Sequence, residues 1–538
     1  MSDRLLVAGS NSGFQLGLGH DRDAHQLEQA LCIDPSTGVT QVLPFPPAGW
    51  DVVRISSGSN HTLALLEQVG AADKQRVLWA TGTGEQGQLG AEHARSAQPL
   101  HVFRPLSLRS VFAHAQDGTA LGMNLDHLEV KDIACGWNCS YLILRTRQRP
   151  DRLSASTVAS SSSSPKDVLV SLGRFADNTF GELGVMQLSD TSQANRCAHV
   201  VSFAQALQQQ GFGSDSLYTI TSVAAGLRHA IAELRIGPCA DGSCTSMIVG
   251  WGAARHGQVG AVPKPIASGM PRTMSRRPGP VPVLALVPQV MNLTPIPARS
   301  PTCKSSTLAA GRDHSVVLSW SGSGESQVTA FGSNRQDQLP PCGDLSADSD
   351  GEAHLVIESM SCNWNSTLAL GAYRCCGGTV VWGCGSNAKG QLGSGRSSTA
   401  TSGSKSFEQM DLSPIDPHTS PLRAGPHGTS AASSIRVRKL VSGSEHSLLL
   451  VDRQTGQERQ EEVAEVWGCG WNEHGNLAQG PHDETDRYVP VPIVTGSRTD
   501  KEASNRQQQP QPRPVNIWAG FGTSFILTQN VMPHEPAK

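Results

Sequence analysis

The chain has 538 residues, 55 of them glycine and 33 proline, with 5% aromatic and 17% charged residues. At roughly 150 residues per domain this length would allow three or four domains, but such a glycine- and proline-rich, aromatic-poor composition points to a turn-rich chain. A net charge of −3 excludes a generic polyanion binder, and thirteen cysteines, an odd count, are too few for a disulfide scaffold.

The N-terminal MSDRLLVAGS has no long apolar stretch of the secretory type, and no run of 18 apolar residues occurs. A reduced protein of cytoplasm and nucleus, without membrane contact, is expected. From Gly9 onward two motifs alternate. The first is an apolar stretch, a glycine, a polar loop and a closing QLG: AGSNSGFQLG from Ala8, TGTGEQGQLG from Thr81, the longer LGRFADNTFGELG from Leu172, WGAARHGQVG from Trp251, FGSNRQDQLP from Phe331, CGSNAKGQLG from Cys384 and CGWNEHGNLA from Cys469. The second is a small residue, usually glycine, two variable residues, a histidine, a hydroxyl and an apolar strand. Its copies place Gly58 before His61, Gly226 before His229, Gly311 before His314 and Gly443 before His446. Three degenerate copies put Cys139, Asn365 and Thr523 in the histidine slot, the last following Gly520.

Both motifs read as short strands bounded by Gly, Asn, Asp and Ser turns, and no long stretch has helical periodicity. Seven units predict an all-β fold, a single seven-bladed β-propeller of four-stranded blades over residues 1–538. Each histidine-type strand should form a hairpin with the next QLG-type strand. Six such hairpins are continuous; the seventh requires the N-terminal strand Leu5–Gly9 to pair with the C-terminal strand Gly520–Leu527, closing the ring. The repeat glycines Gly9, Gly82 and Gly385 mark equivalent turns. Between the repeats, residues 145–166, 261–300, 394–434 and 497–514 have the composition of disordered insertions, and 529–538 that of a tail.

Catalytic and cofactor chemistry is rejected on context. Gly82-Thr83-Gly84-Glu85-Gln86-Gly87 matches GxGxxG, but QLGAEHARSAQ follows it without a clear apolar helix, and the repeat register already explains the glycines. GxxxxGK[ST], GxSxG and HExxH do not occur. The repeat histidines are spread around the ring rather than converging on a metal, so hydrogen bonds to turns are their expected role. Cys239 and Cys244 flank a turn without a second CxxC pair, leaving free thiols or a labile cross-strand disulfide. Arginines cluster at 145, 147, 149 and 152 and at 272, 276 and 277, read as solvated loop charge, and Ser-Pro pairs start at Ser164, Ser413 and Ser420. No metal, cofactor or catalytic residue is expected. The loop tryptophans are the candidate partner contacts: Trp137 with Asn138, Trp364 with Asn365, and Trp471 with Glu473 and His474, all expected near the propeller rim.

The paired signatures GSNSGFQLG and SGSNHTLAL resemble the repeat of the regulator of chromosome condensation family, over nearly the whole chain. AGSNSGFQLGLGHDRD, IACGWNCS, VWGCGWNEHGN and WAGFGTSFIL resemble its fungal alpha-tubulin suppressor branch, from which the long Ser/Pro insertions depart. That resemblance implies a non-catalytic binding propeller, monomeric or heterodimeric. Its implied partners are a small zinc-binding protein of diphthamide synthesis and, indirectly, Elongator, linking it to elongation factor two and to tRNA wobble-uridine modification. The wider family implies an alternative, a guanine nucleotide exchange factor for the nuclear small GTPase. An adaptor in ubiquitination or traffic is a third reading. Only Arg4 precedes the first strand, so a basic chromatin-docking tail, and direct sequence-specific nucleic-acid binding, are not expected.

Overall fold

The histidine-type strands are apolar along most of their length, as in His61–Gln68 (HTLALLEQ) and His229–Ile236 (HAIAELRI), where six or more residues in a row are buried. A strand buried on both faces reads this way because neighbouring layers cover it from either side. In the computed structural model, residues 3–530 are described except 34–40, 72–74, 114–123, 148–166, 187–194, 214–215, 238–243, 262–282, 292–304, 321–324, 342–354, 375–376, 396–406, 417–434, 456–460 and 495–511.

Seven antiparallel sheets form the blades. Blade 1 is ordered Pro512–Gly520, Thr523–Asn530, Asp3–Gly9, Ala24–Gln29 from the inside out. Its two chain ends pair in unbroken register from Asp3 opposite Gln529 to Gly9 opposite Thr523, which is the expected closure. Blades 2 to 7 have inner strands Trp50–Ser57, Leu128–Cys135, Tyr218–Ala225, Thr307–Ala310, Leu355–Cys362 and Ile435–Ser442. Each inner strand packs against the next, and the last against that of blade 1, so the ring is complete. Blade 5 has three strands among the described residues. Blade 2 has six, because Leu31–Ile33 adds in parallel to its outer strand Leu100–Pro105 and carries Val42–Pro44.

The core lies in the seams between blades rather than inside any one of them. Leu5, Val52, Trp79 and Phe525 fill the blade 1–2 seam, and Tyr141, Leu183, Phe203 and Trp251 the blade 3–4 seam. The blade 4–5 seam has fewer buried apolar residues, namely Ile231, Ile248, Met291 and Val317. It gains a fully buried carboxylate, Glu233, which accepts from Thr221 Oγ1 (2.6 Å), Ser246 Oγ, Ser306 N (2.9 Å) and Ser306 Oγ (3.0 Å). A buried charge is tolerated there because its lone pairs are satisfied.

Several stretches read from composition as insertions hold strands. Arg145 and Thr146 end the strand Ser140–Thr146, and Arg145 forms an ion pair with Glu129. Leu284–Val290 is the outer strand of blade 4, Glu408–Gln409 that of blade 6, and Met410, Leu412 and Ile415 are buried in the blade 6–7 seam. The inner strand of blade 1 begins at Pro512, and Gln529 and Asn530 belong to a strand, not to a tail. Composition averaged over 40 residues hides such short apolar runs as VLALVPQV. Residues 148–166, 262–282, 292–300, 396–406, 417–434, 497–511 and 531–538 of those stretches lie outside the described residues, as does Cys239 and with it any pairing to Cys244.

Candidate functional site

Two turns per blade build one end of the propeller. The glycine that closes the QLG-type strand adopts a left-handed conformation in every blade but the third, where it is Gly173; at Gly385 (φ +109°) a Cβ would stand 2.4 Å from Asn365 O. That close approach lets Ser386 N donate to Asn365 O (2.9 Å). Equivalent bonds join Ser10 to Gly522, Thr83 to Asn60 and Trp471 to Glu445. The loop that follows is tied internally: Asn387 Oδ1 accepts from Leu392 N (2.9 Å) and Gln391 Oε1 from Lys389 N (3.0 Å), the same pattern as Asn11–Leu16 and Gln15–Gly13. Its Asn, Gln, Leu and Gly are therefore turn residues.

The repeat histidines fasten blades to one another. His61 Nε2 lies 2.8 Å from Ser140 Oγ, His229 Nε2 2.9 Å from Ser315 Oγ, His314 Nε2 3.0 Å from Thr367 Oγ1 and His446 Nε2 3.1 Å from Ser524 Oγ, each hydroxyl belonging to the next blade. The sequence reading expected bonds to turns; each bond instead crosses a blade boundary. Burial lowers all four imidazole pKa values, to about 3 for His61 and His229 and about 4 for His314 and His446. Neutral imidazoles that each bond the next blade's hydroxyl are fasteners, and no cluster of ligating side chains occurs among the described residues.

The repeat glycine makes room for that ring. A Cβ on Gly58, Gly226, Gly311 or Gly443 would lie 2.1 to 2.3 Å from the Cε1 of its own blade's histidine. Blade 6 lacks both partners. Its histidine slot is filled by Ser366, which opposes Gly385 as His446 opposes Gly470, so Asn365 stands one residue before the slot that the sequence assigned to it. With no imidazole to accommodate, the glycine position is Asn363, whose Nδ2 donates across the boundary to His446 O (2.9 Å) and Gly443 O (3.2 Å).

The residue after each repeat glycine points the candidate tryptophans inward. Trp137 and Trp364 do not reach the rim: their ring centroids are 5.7 Å apart, and Phe521, in the same position of blade 1, lies 5.6 and 6.2 Å from them. Three non-adjacent blades thus place partly buried aromatic rings together over the axis. The backbone beneath is fixed, since Trp364 N donates to Ser444 O (2.8 Å) and Trp364 O accepts from Arg312 N (2.9 Å). Trp137 O and Asn138 Oδ1 accept from Ser59 in blade 2. Under this cap runs a central cavity of about 220 Å³ lined by all seven inner strands, with Trp364 and Phe521 at one end and Arg54 among its wall residues.

Trp471, Glu473 and His474 occupy the same end. The Trp471 ring packs over Gly522, next to Phe521, and Trp471 Nε1 donates to Glu473 Oε2 (3.0 Å). His474 Nδ1 reaches Asp23 Oδ2 of blade 1 (2.6 Å), as Lys389 reaches Asp486 of blade 7 (3.4 Å). His474 is thereby part of an inter-blade clamp, whereas exposed Glu473 and half-buried Trp471 remain available as contacts. Phe521 escaped the sequence reading, although its position after Gly520 matches that of Trp137 after Gly136.

No protein-family model matches the chain. It is 25% identical over 485 residues to an RCC1 repeat-containing protein of Schizosaccharomyces pombe, covering 90% of this chain and 91% of that protein. It is 24% identical over 491 residues to the secretion-regulating guanine nucleotide exchange factor of Bos taurus, covering 91% and 78%. Among solved structures, human WBSCR16 superposes with a TM-score of 0.54 over 99% of this chain and 100% of its own, at 15% identity. Prp20p of Saccharomyces cerevisiae, described with its binding properties to Gsp1p and histones, superposes with a TM-score of 0.56 over 99% and 92%, also at 15% identity.

Proposed function

We propose that this RCC1-like propeller is a non-catalytic protein-binding platform that engages a small GTPase through its aromatic-capped end and promotes nucleotide exchange. The observation that carries the binding role is the convergence of Trp137, Trp364 and Phe521 on a rigid, cross-linked end, with Trp471 extending the aromatic surface outward. Rings held on a fixed backbone give contact area at little entropic cost, and tryptophan is enriched at binding hot spots. The GTPase assignment is supported by the similarity to a guanine nucleotide exchange factor over nine-tenths of the chain. Exchange needs no covalent chemistry: a platform that binds the nucleotide-free state more tightly shifts the equilibrium toward release.

The second reading, a partner of the small zinc-binding diphthamide-synthesis protein with an indirect tie to Elongator, draws on the CGWNCS and CGWNEHGN segments, whose Trp137 and Trp471 lie on this same end. One experiment separates the two. The tagged full chain is recovered from cells without added nucleotide, and bound proteins are identified. A nucleotide-free small GTPase released by GTP supports exchange; recovery of the zinc protein without a GTPase overturns it in favour of the second reading.

A further inference from the structure

The inner strands carry a second ring of side chains, four residues before the repeat glycine of each blade and so roughly 13 Å along the strand from the aromatic cap. It comprises Asn516, Arg54, Asp132, Ser222, Thr307, Ser359 and Lys439 in blade order. Six of the seven follow a β-bulge in the inner strand, between Val52 and Arg54, Val130 and Asp132, Ile220 and Ser222, Ile357 and Ser359, Val437 and Lys439, and Pro514 and Asn516. Bulges re-aim side chains.

Charge on this ring is unbalanced. Arg54 Nε is 3.3 Å from Asp132 Oδ1, and the guanidinium's remaining nitrogens have no partner among the described residues. Lys439 reaches from blade 7 to blade 1, donating to Asn516 Oδ1 (2.7 Å) with its ammonium 5.0 Å from the Trp518 ring centroid. No carboxylate contacts it among the described residues. Burial, with Arg54 as a neighbouring positive charge, lowers its pKa to about 8. Ser222 Oγ is buried without a hydrogen-bond partner among the described residues. Arg54 lines the central cavity away from its cap, Lys439 feels its charge, and these two cations stand against the single carboxylate of Asp132 on this ring, an arrangement suited to an anion.

We propose that this end of the channel is an oxyanion site, in which Lys439 and Arg54 take a phosphate or carboxylate group between them. The site is distinct from the capped end and independent of the partner bound there. Calorimetric titration of the full chain at low ionic strength with inorganic phosphate, and separately with acetate, tests it. Saturable one-to-one binding of either is expected, and K439M should weaken it at least tenfold while R109M, an exposed arginine paired with Asp126 elsewhere, leaves it unchanged. Preference for phosphate identifies a phosphoryl ligand; comparable acetate binding identifies a carboxylate. No saturable heat from the wild-type chain, or unchanged affinity in a K439M protein with the wild-type circular dichroism spectrum, overturns the proposal.

Discussion

His61 of blade 2 and Ser140 of blade 3 meet at 2.8 Å across a seam from which water is excluded, both side chains being fully buried. The same pairing recurs three times, and it makes the ring sensitive to acid. A histidine with a native pKa near 3 or 4 and an unfolded value near 6.5 binds its proton more readily in the unfolded chain between those limits. Stability is therefore full above pH 6.5 and declines as pH falls toward 4. At pH 5 the loss reaches up to about 2 kcal/mol per histidine. Thermal melts should show a plateau above pH 7 and a steep fall below 6, flattened in His61→Gln. A pH-independent melt between 7 and 5 would remove the histidines from this role.

Gly443 and His446 form one packing unit. Gly443→Ala should destabilise by about 1–3 kcal/mol, because the new methyl meets His446 Cε1 at 2.1 Å and Gly520 O at 2.6 Å. His446→Ala relieves the first clash and not the second. The double variant should accordingly cost less than the sum of the two singles in urea denaturation, and strict additivity would show that the ring and the glycine are not coupled.

This coupling also explains how much of the fold was legible. Strand period, turn residues and the alternation of the two motifs define seven units, and the terminal half-units define the closure of Leu5–Gly9 on Gly520–Leu527, which the structure extends to Asp3 opposite Gln529. What the glycine and histidine do for each other was not legible, because the imidazole stacks on its own blade's glycine while bonding the next blade's hydroxyl, a contact up to 86 residues away. Blade 6 shows the consequence: once Ser366 replaces the histidine, Asn363 replaces the glycine, and a motif search that demands a fixed spacing lands on Asn365. The aromatic cap was missed for a related reason. Sequence spacing marks Trp137 and Trp364 as turn residues, but only the ring's curvature brings turns from blades 3, 6 and 1 to a common axis.

Closure places part of the stability in the last strands. Removing residues 512–538 deletes the two innermost strands of blade 1, strips Asp3–Gly9 of its partner and takes away Ser524, the hydroxyl that meets His446. The buried side chains of Ile517, Trp518, Phe525, Ile526 and Leu527 leave the seams with them, at about 1.5–3 kcal/mol each. The truncated chain should lose its cooperative melt or unfold well below the full-length temperature. An unchanged single transition would refute a ring fastened at this point.

The capped end separates binding energy from folding energy. The backbone of Trp364 is held by Ser444 and Arg312 independently of its indole, and its ring is only partly buried against Trp137 and Phe521. Trp364→Ala and Trp137→Ala should therefore weaken capture of the partner at least tenfold, a loss of about 1.4 kcal/mol, while shifting the melt by only a few degrees. Because the rings touch, the double variant should lose less than the two singles combined. Trp471→Ala, which removes a ring farther from the axis and anchored by Glu473, should weaken capture less than either. Pull-down titrations on variants with matched melting curves measure all three, and unchanged capture by the Trp137/Trp364 double variant would move the partner site away from the axis.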